Sequence, residues 1–165
     1  MLVPAQLHRE ELKQLTTERW FEERYKWYFA GEYYELQIGD NCQYRRSFAC
    51  MDSNGKIVGY FSHNYNEHDR RMRDFGLMSF VDGINRTLVN DVQTYVEDMF
   101  LNKGAISLEL WAFSDNPVCK LYNHYVKEHG GKKLCELTNS AFFNGKFHNT
   151  SIYEIQAKNF KHKIK

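Results

Sequence analysis

The sequence predicts an α/β fold: a mixed sheet with helices on both faces, in the order β-α-α-β-β-β-α-β-α-β-β. Three observations carry this expectation. Asn54-Gly55 and Asn144-Gly145 each separate two strand-like runs, and Asn-Gly is the strongest short hairpin signal. Between those hairpins, residues 73–113 read as strand, helix, strand, and a helical crossover lets two strands pair in parallel. Amphipathic stretches with marked ends supply the helices.

Residues 2–5 are expected to form a short first strand. Residues 7–30 are helical in character and divide into two helices: Leu7, Leu12 and Leu15 make one apolar stripe, and Trp20, Phe21, Tyr25, Tyr28 and Phe29 a second. After a polar segment at 31–46, "SFACMDSNGKIVGYFSHNY" places antiparallel strands at 47–52 and 56–65. "RDFGLMSFV", 73–81, is the next strand. Residues 84–102 carry Ile84, Leu88, Val89, Val92, Tyr95, Val96, Met99 and Phe100 on one helical face, and Asn102 and Gly104 end it. "AISLELWAF", 105–113, alternates: Ile106, Leu108, Leu110 and Ala112 face one way, and Ser107, Glu109, Trp111 and Phe113 the other. "SDNPVCKLYNHYVKEHGG" follows as a helix with both ends signalled. Asn116 is a good N-cap, Pro117 suits the first helical position, and Gly130-Gly131 permits a left-handed stop. Strands at about 132–143 and 150–157 close the order.

The bulk composition excludes several classes. The 165 residues are 42% hydrophobic and 26% charged, as expected of one globular domain over 1–157 with a basic tail at 158–165. A net charge of +1 gives no global pull toward nucleic acid or an anionic membrane surface. No segment has the apolar length of a membrane span. "MLVPAQLHREELK" lacks the n- and h-regions of a secretory signal, so the chain is expected in the cytoplasm. Cys42, Cys50, Cys119 and Cys135 show no CxxC spacing and are expected reduced and mostly buried. His63 and His68 lack a third ligand, so no metal is expected. Aromatics are abundant, and Trp20, Tyr25, Trp27, Tyr28, Tyr33 and Tyr34 exceed what one helix face buries. The excess is read as an acceptor pocket or a homodimer contact, with Glu22, Glu23, Glu32 and Glu35 suited to a cationic amine.

The element order, "LELWAFSDNPVCKLYNHYVKEHGG" and the hairpin "MDSNGKIVGYFSHNY" together resemble the GNAT superfamily of acetyl-CoA-dependent N-acetyltransferases. Asn116, Val118, Leu121, Tyr122 and Gly130 match that family's strand–Asn–helix pattern. The resemblance implies a mostly antiparallel sheet in which the parallel fourth and fifth strands splay apart. It implies acetyl-CoA as co-substrate and an amine acceptor on a small molecule or a protein. Backbone groups at Met78, Ser79, Phe80 and Val81 would then hold the pantetheine and polarise the thioester carbonyl. Asn116 and Pro117 would contact the cofactor arm, and Tyr122 would be the general acid for the leaving thiolate. Glu109, Asp74 and His63 stand as candidate general bases, alongside water.

One stretch departs from the family pattern. The loop of the form Gln/Arg-x-x-Gly-x-Gly/Ala that cradles the pyrophosphate corresponds here to "FVDGINRTLV". Gly83 matches one glycine; Asn85 stands where the second belongs, and Phe80 where the basic residue belongs. Asp82 adds a negative charge, while Arg86 offers a positive one beside Thr87. The alternative is therefore a catalytically inactive CoA-binding or protein-interaction module.

Overall fold

The computed structural model describes residues 1–19, 21–29, 36, 38–39 and 44–162. Trp20, Glu32, Tyr33, Tyr34, Glu35 and Cys42, and the side chain of Phe29, lie outside the described residues. The strands are β1 (Leu2–Pro4), β2 (Arg45–Met51), β3 (Ile57–Tyr65), β4 (Arg71–Ser79), β5 (Ser107–Phe113), β6 (Lys132–Phe143) and β7 (Lys146–Gln156). They join one sheet in the order β1-β2-β3-β4-β5-β7-β6. β4 and β5 are parallel; β1-β2, β2-β3, β5-β7 and β7-β6 are antiparallel. The helices are α1 (Arg9–Arg19), α2 (Lys26–Phe29), α3 (Arg86–Leu101) and α4 (Val118–Glu128). The fold is the mixed sheet with helical layers that the sequence predicts. The chain divides into two compact units, Met1–Asn64 with Gly76–Val96, and Tyr65–Phe75 with Glu97–Lys165.

In the first unit the β2-β3 hairpin turns at Asn54-Gly55, where Gly55 takes φ 76°. Asp52 fastens this turn by accepting the N–H groups of Asn54 and Lys56 at 2.9 Å each. β3 is buried almost end to end, because both of its faces are covered. On one side Leu12, Tyr25, Ala49, Ile57, Tyr60, Met78 and Phe80 form a core. On the other, α3 presses so closely that a Cβ on Gly59 would lie 2.9 Å from Leu88 Cδ2. Apolar burial of this kind, about 25 cal/mol per Å², is the main stabilising contribution.

His63 sits on the same side, fully buried, with Phe48, Phe61 and Tyr95. One neutral tautomer satisfies both ring nitrogens: Nδ1–H donates to Asn64 O (3.2 Å) and Nε2 accepts from Tyr95 Oη (2.8 Å). Burial lowers its pKa to about 4 against the opposing backbone bond, with Arg46 and Arg45 adding to the drop. A folded pKa below the unfolded value of about 6.5 means stability is full above pH 6.5 and falls as pH drops toward 4. The expected loss between pH 7 and pH 4 is roughly 3 kcal/mol from this group. Urea midpoints at pH 7 and pH 4.5 should therefore fall more steeply for the native chain than for His63→Phe; equal slopes would show that His63 titrates normally.

In the second unit β7 pairs with β5 throughout Ser107–Phe113 and with β6 on its other edge. The β6-β7 turn falls at Asn144 (φ 51°) and Gly145 (φ 75°), as an Asn-Gly turn requires. Tyr122, Tyr125 and Val126 bury one face of α4, with Tyr122 edge-on to Tyr153 of β7 at 5.9 Å. Of the cysteines described, Cys50 and Cys119 are buried and Cys135 is exposed on β6. The tail is packed at its start: Phe160 stacks on Phe100 (4.5 Å) and His129 (5.1 Å).

Two sequence expectations are corrected. Ile84 is not on the buried face of α3 but 83% exposed, because the helix begins only after Asn85 caps it. Ile106 does not share the buried face of Leu108; β5 starts at Ser107, and Ile106 is exposed in the connection before it.

Candidate functional site

The loop after β4 is built within the first unit. Phe80 N–H donates to Val58 O at 2.9 Å, so residue 80 turns its peptide groups to β3. Alternation along a strand then turns those of Ser79, the last residue of β4, to the opposite edge. Val81 N–H donates to Ser79 Oγ at 3.4 Å, which folds the loop back on the end of the strand. Met78 and Phe80 bury their side chains in the core, which removes Phe80 from the role of the family's basic residue.

The side chain of Asn85, a candidate cofactor contact, is engaged within the fold. Its Oδ1 accepts Leu88 N–H (3.0 Å), while Nδ2 donates to Val58 O (2.7 Å) and Ser79 Oγ (3.3 Å). It thereby caps α3 and anchors the loop to β3. Gly83 has φ 73°, and a Cβ there would meet nothing within 4 Å, so a ligand can approach the backbone closely. Arg86 is exposed, and Thr87 is half-buried in the first turn of α3.

Arg24 is a contributor the sequence reading missed, and Tyr25, read there only as one of an aromatic cluster, joins it at this loop. Arg24 Nη1 donates to Val81 O (3.1 Å) and Asp82 Oδ1 (2.7 Å), and Tyr25 Oη donates to Ser79 O (2.6 Å). They reach the end of β4 and the loop after it from the short 3-10 turn Glu23–Tyr25, more than fifty residues away along the chain. No local sequence pattern signals such a contact.

The second unit holds the remaining candidates. Among the described residues the parallel β4-β5 ladder has the pairs Arg71↔Ser107 and Met72↔Leu108. Asp74, two residues on, takes φ 52°, a left-handed conformation uncommon for a residue with a side chain. β5 pairs with β7 through Phe113. Asp74 is exposed. Glu109 is half-buried, and its Oε1 accepts Trp111 Nε1–H at 2.6 Å, the two side chains sharing one face of β5.

The turn from β5 into α4 is tightly fixed. Asn116 Oδ1 accepts Val118 N–H (3.0 Å), and Asn116 O accepts Cys119 N–H (3.0 Å), which is the capping geometry expected of it. Pro117, in αR conformation, begins the helix. Asp115 beside them accepts from Lys146 Nζ (3.1 Å) and His148 Nδ1 (3.1 Å). Burial opposes ionisation of Asp115, but those hydrogen bonds outweigh it and lower its pKa. The contacts tie the β6-β7 turn to the start of α4. Tyr122 is buried, and burial, with Cys119 and Tyr153 beside it, pushes its phenol pKa well up.

No protein-family model and no curated protein sequence matches the chain. Solved structures do. Spermidine N-acetyltransferase from Vibrio cholerae, solved in complex with CoA and spermine, matches with TM-score 0.74 and 17% identity over 96% of each chain. A GCN5-related N-acetyltransferase from Brucella melitensis matches with TM-score 0.69 and 16% identity, over 96% of this chain and 76% of that one. A probable acetyltransferase matches with TM-score 0.69 and 13% identity, over 92% and 88%. At these identities the likeness is one of fold: the chain has the fold of the GCN5-related N-acetyltransferases.

Proposed function

We propose that this chain is an N-acetyltransferase that moves the acetyl group of acetyl-CoA to a primary amine of a small molecule or protein. The observation that supports it most is the course of β4 beside the parallel β5. Within the second unit the pairs Arg71↔Ser107 and Met72↔Leu108 are followed by the left-handed Asp74, a distortion of β4 that suits an acyl arm entering beside it. The fold supports the same reading, and the Vibrio cholerae neighbour was solved with CoA and with an amine.

In this proposal the amine nitrogen attacks the thioester carbonyl directly; a C–N bond forms, the C–S bond breaks, and no covalent enzyme intermediate intervenes. Ser79 and Val81 present backbone groups to the pantetheine arm. Gly83, Arg86 and Thr87 serve the CoA phosphates, and Asn116 and Pro117 hold the thioester end. Tyr122 donates to the departing sulfur, and Asp74 or Glu109, directly or through water, takes the amine proton. Acidic groups at these positions suit a cationic acceptor. The proposal extends to a cytoplasmic protein, to one catalytic domain over 1–157, and to a homodimer formed through exposed aromatics such as Phe21.

A second reading, a catalytically inactive CoA-binding or protein-interaction module, is favoured by the hydrogen bonds that Tyr25 and Arg24 already make to Ser79 O and Val81 O. Calorimetric titration with acetyl-CoA, followed by free-thiol release with polyamine and lysine-peptide acceptors, separates the two. Saturable binding with thiol release is the expected result. No binding at millimolar acetyl-CoA would sink the enzyme reading, and binding without turnover on any amine would favour the module.

A further inference from the structure

We propose that Arg24 is the cationic residue of the loop at 80–86. Its guanidinium binds a phosphate oxygen of CoA, and Asp82 competes with that phosphate for the same Nη1 group. The inference rests on the acetyl-CoA reading above and deepens it.

The position where the family resemblance places a basic side chain is filled by buried Phe80. Arg24 brings the missing charge to the loop from a distant segment, with Nη1 between Val81 O and Asp82 Oδ1. Two further contacts orient the group independently of Asp82: Nε pairs with Glu22 Oε2 at 2.6 Å, and the guanidinium lies over the Tyr25 ring at 5.0 Å. Loss of the Asp82 contact therefore leaves the fork aimed at the loop.

The exchange has the right sign. Asp82 is fully exposed, and exposed ion pairs are weak. A pyrophosphate carries more charge than a carboxylate, and guanidinium–phosphate pairs are short and directional. The Gly83 backbone beside them is open to close approach. Asp82, which looks out of place next to a phosphate site, then becomes the group that occupies Nη1 until a stronger anion displaces it.

The test is CoA affinity by calorimetry for the native chain, Arg24→Gln and Asp82→Asn. Removing one charge-assisted contact should weaken CoA binding about tenfold in Arg24→Gln. Removing the competitor should tighten binding in Asp82→Asn, by about two- to threefold. The opposite signs are the point, because a pair that merely braces the loop would weaken binding in both variants, and that result overturns the proposal. Unchanged affinity in Arg24→Gln overturns it as well. If Arg24→Gln fails to fold, the sign of the Asp82→Asn effect decides alone. Absence of CoA binding by the native chain would instead overturn the acetyl-CoA reading itself, which keeps the two failures apart.

Discussion

Replacing Tyr122 by phenylalanine is expected to lower kcat for acetyl transfer about a hundredfold while leaving acetyl-CoA affinity unchanged. The ring stays, so the edge-on contact with Tyr153 and the buried face of α4 stay with it. Only the hydroxyl goes. Burial raises the phenol pKa, so the group is protonated at every working pH. The same shift limits what it can do. A phenol more basic than a thiol does not hand its proton over completely; it holds the proton in a hydrogen bond on the sulfur as charge develops there. A hydrogen bond to a developing charge contributes about 1.5–3 kcal/mol, which sets the factor near one hundred. Steady-state rates from thiol release, with affinity from calorimetry, check it. Equal kcat in the variant would leave Tyr122 a core residue and move proton delivery to water.

The hairpins were legible in the sequence because the constraint is local. Asn-Gly fits a turn whose residues need positive φ, and Gly55, Asn144 and Gly145 adopt it. The start of α4 was legible for the same reason, since Asn116 and Pro117 act within three residues of each other. Periodicity alone misplaced Ile84. A residue just before a cap fits the same 3.6-residue spacing as one just inside it, and only the bond from Asn85 to Leu88 N–H separates them. Ile106 failed similarly, because alternation continues across a strand boundary that pairing decides.

The site was less legible than the fold. Nothing in "RDFGLMSFV" marks Asp74 as left-handed, and Gly76 is the more obvious candidate for a distortion there. Gly76 instead accommodates close packing: a Cβ there would lie 2.9 Å from Ser62 Oγ and 3.0 Å from Tyr28 Oη. Arg24 was invisible because its partners lie more than fifty residues on, in a segment whose own composition argues against binding an anion. Charge at a binding loop is a property of the folded surface, and a motif records only what the loop itself carries.

Gly130→Ala is expected to destabilise the chain by about 3 kcal/mol, a drop in Tm on the order of 10 °C. Gly130 follows the end of α4 with φ 77°, and the next N–H, of Gly131, returns to Val126 O at 2.6 Å to close the helix. An alanine in that left-handed position costs about 1 kcal/mol by itself. The larger contribution is steric, because a Cβ would lie 2.1 Å from Asn159 O and 3.1 Å from its carbonyl carbon, both backbone atoms with no rotamer to escape into. The turn Ala157–Asn159 would have to move, and with it the Phe160 stack on His129 and the bond between His129 Nδ1 and Lys161 O at 2.7 Å. Gly145→Ala is the control. It has φ 75° but open space around its Cβ, so it carries the backbone cost without the clash. Thermal unfolding of the two variants should differ by roughly 2 kcal/mol, and equal losses would mean that the C-terminal turn does not press on the end of α4.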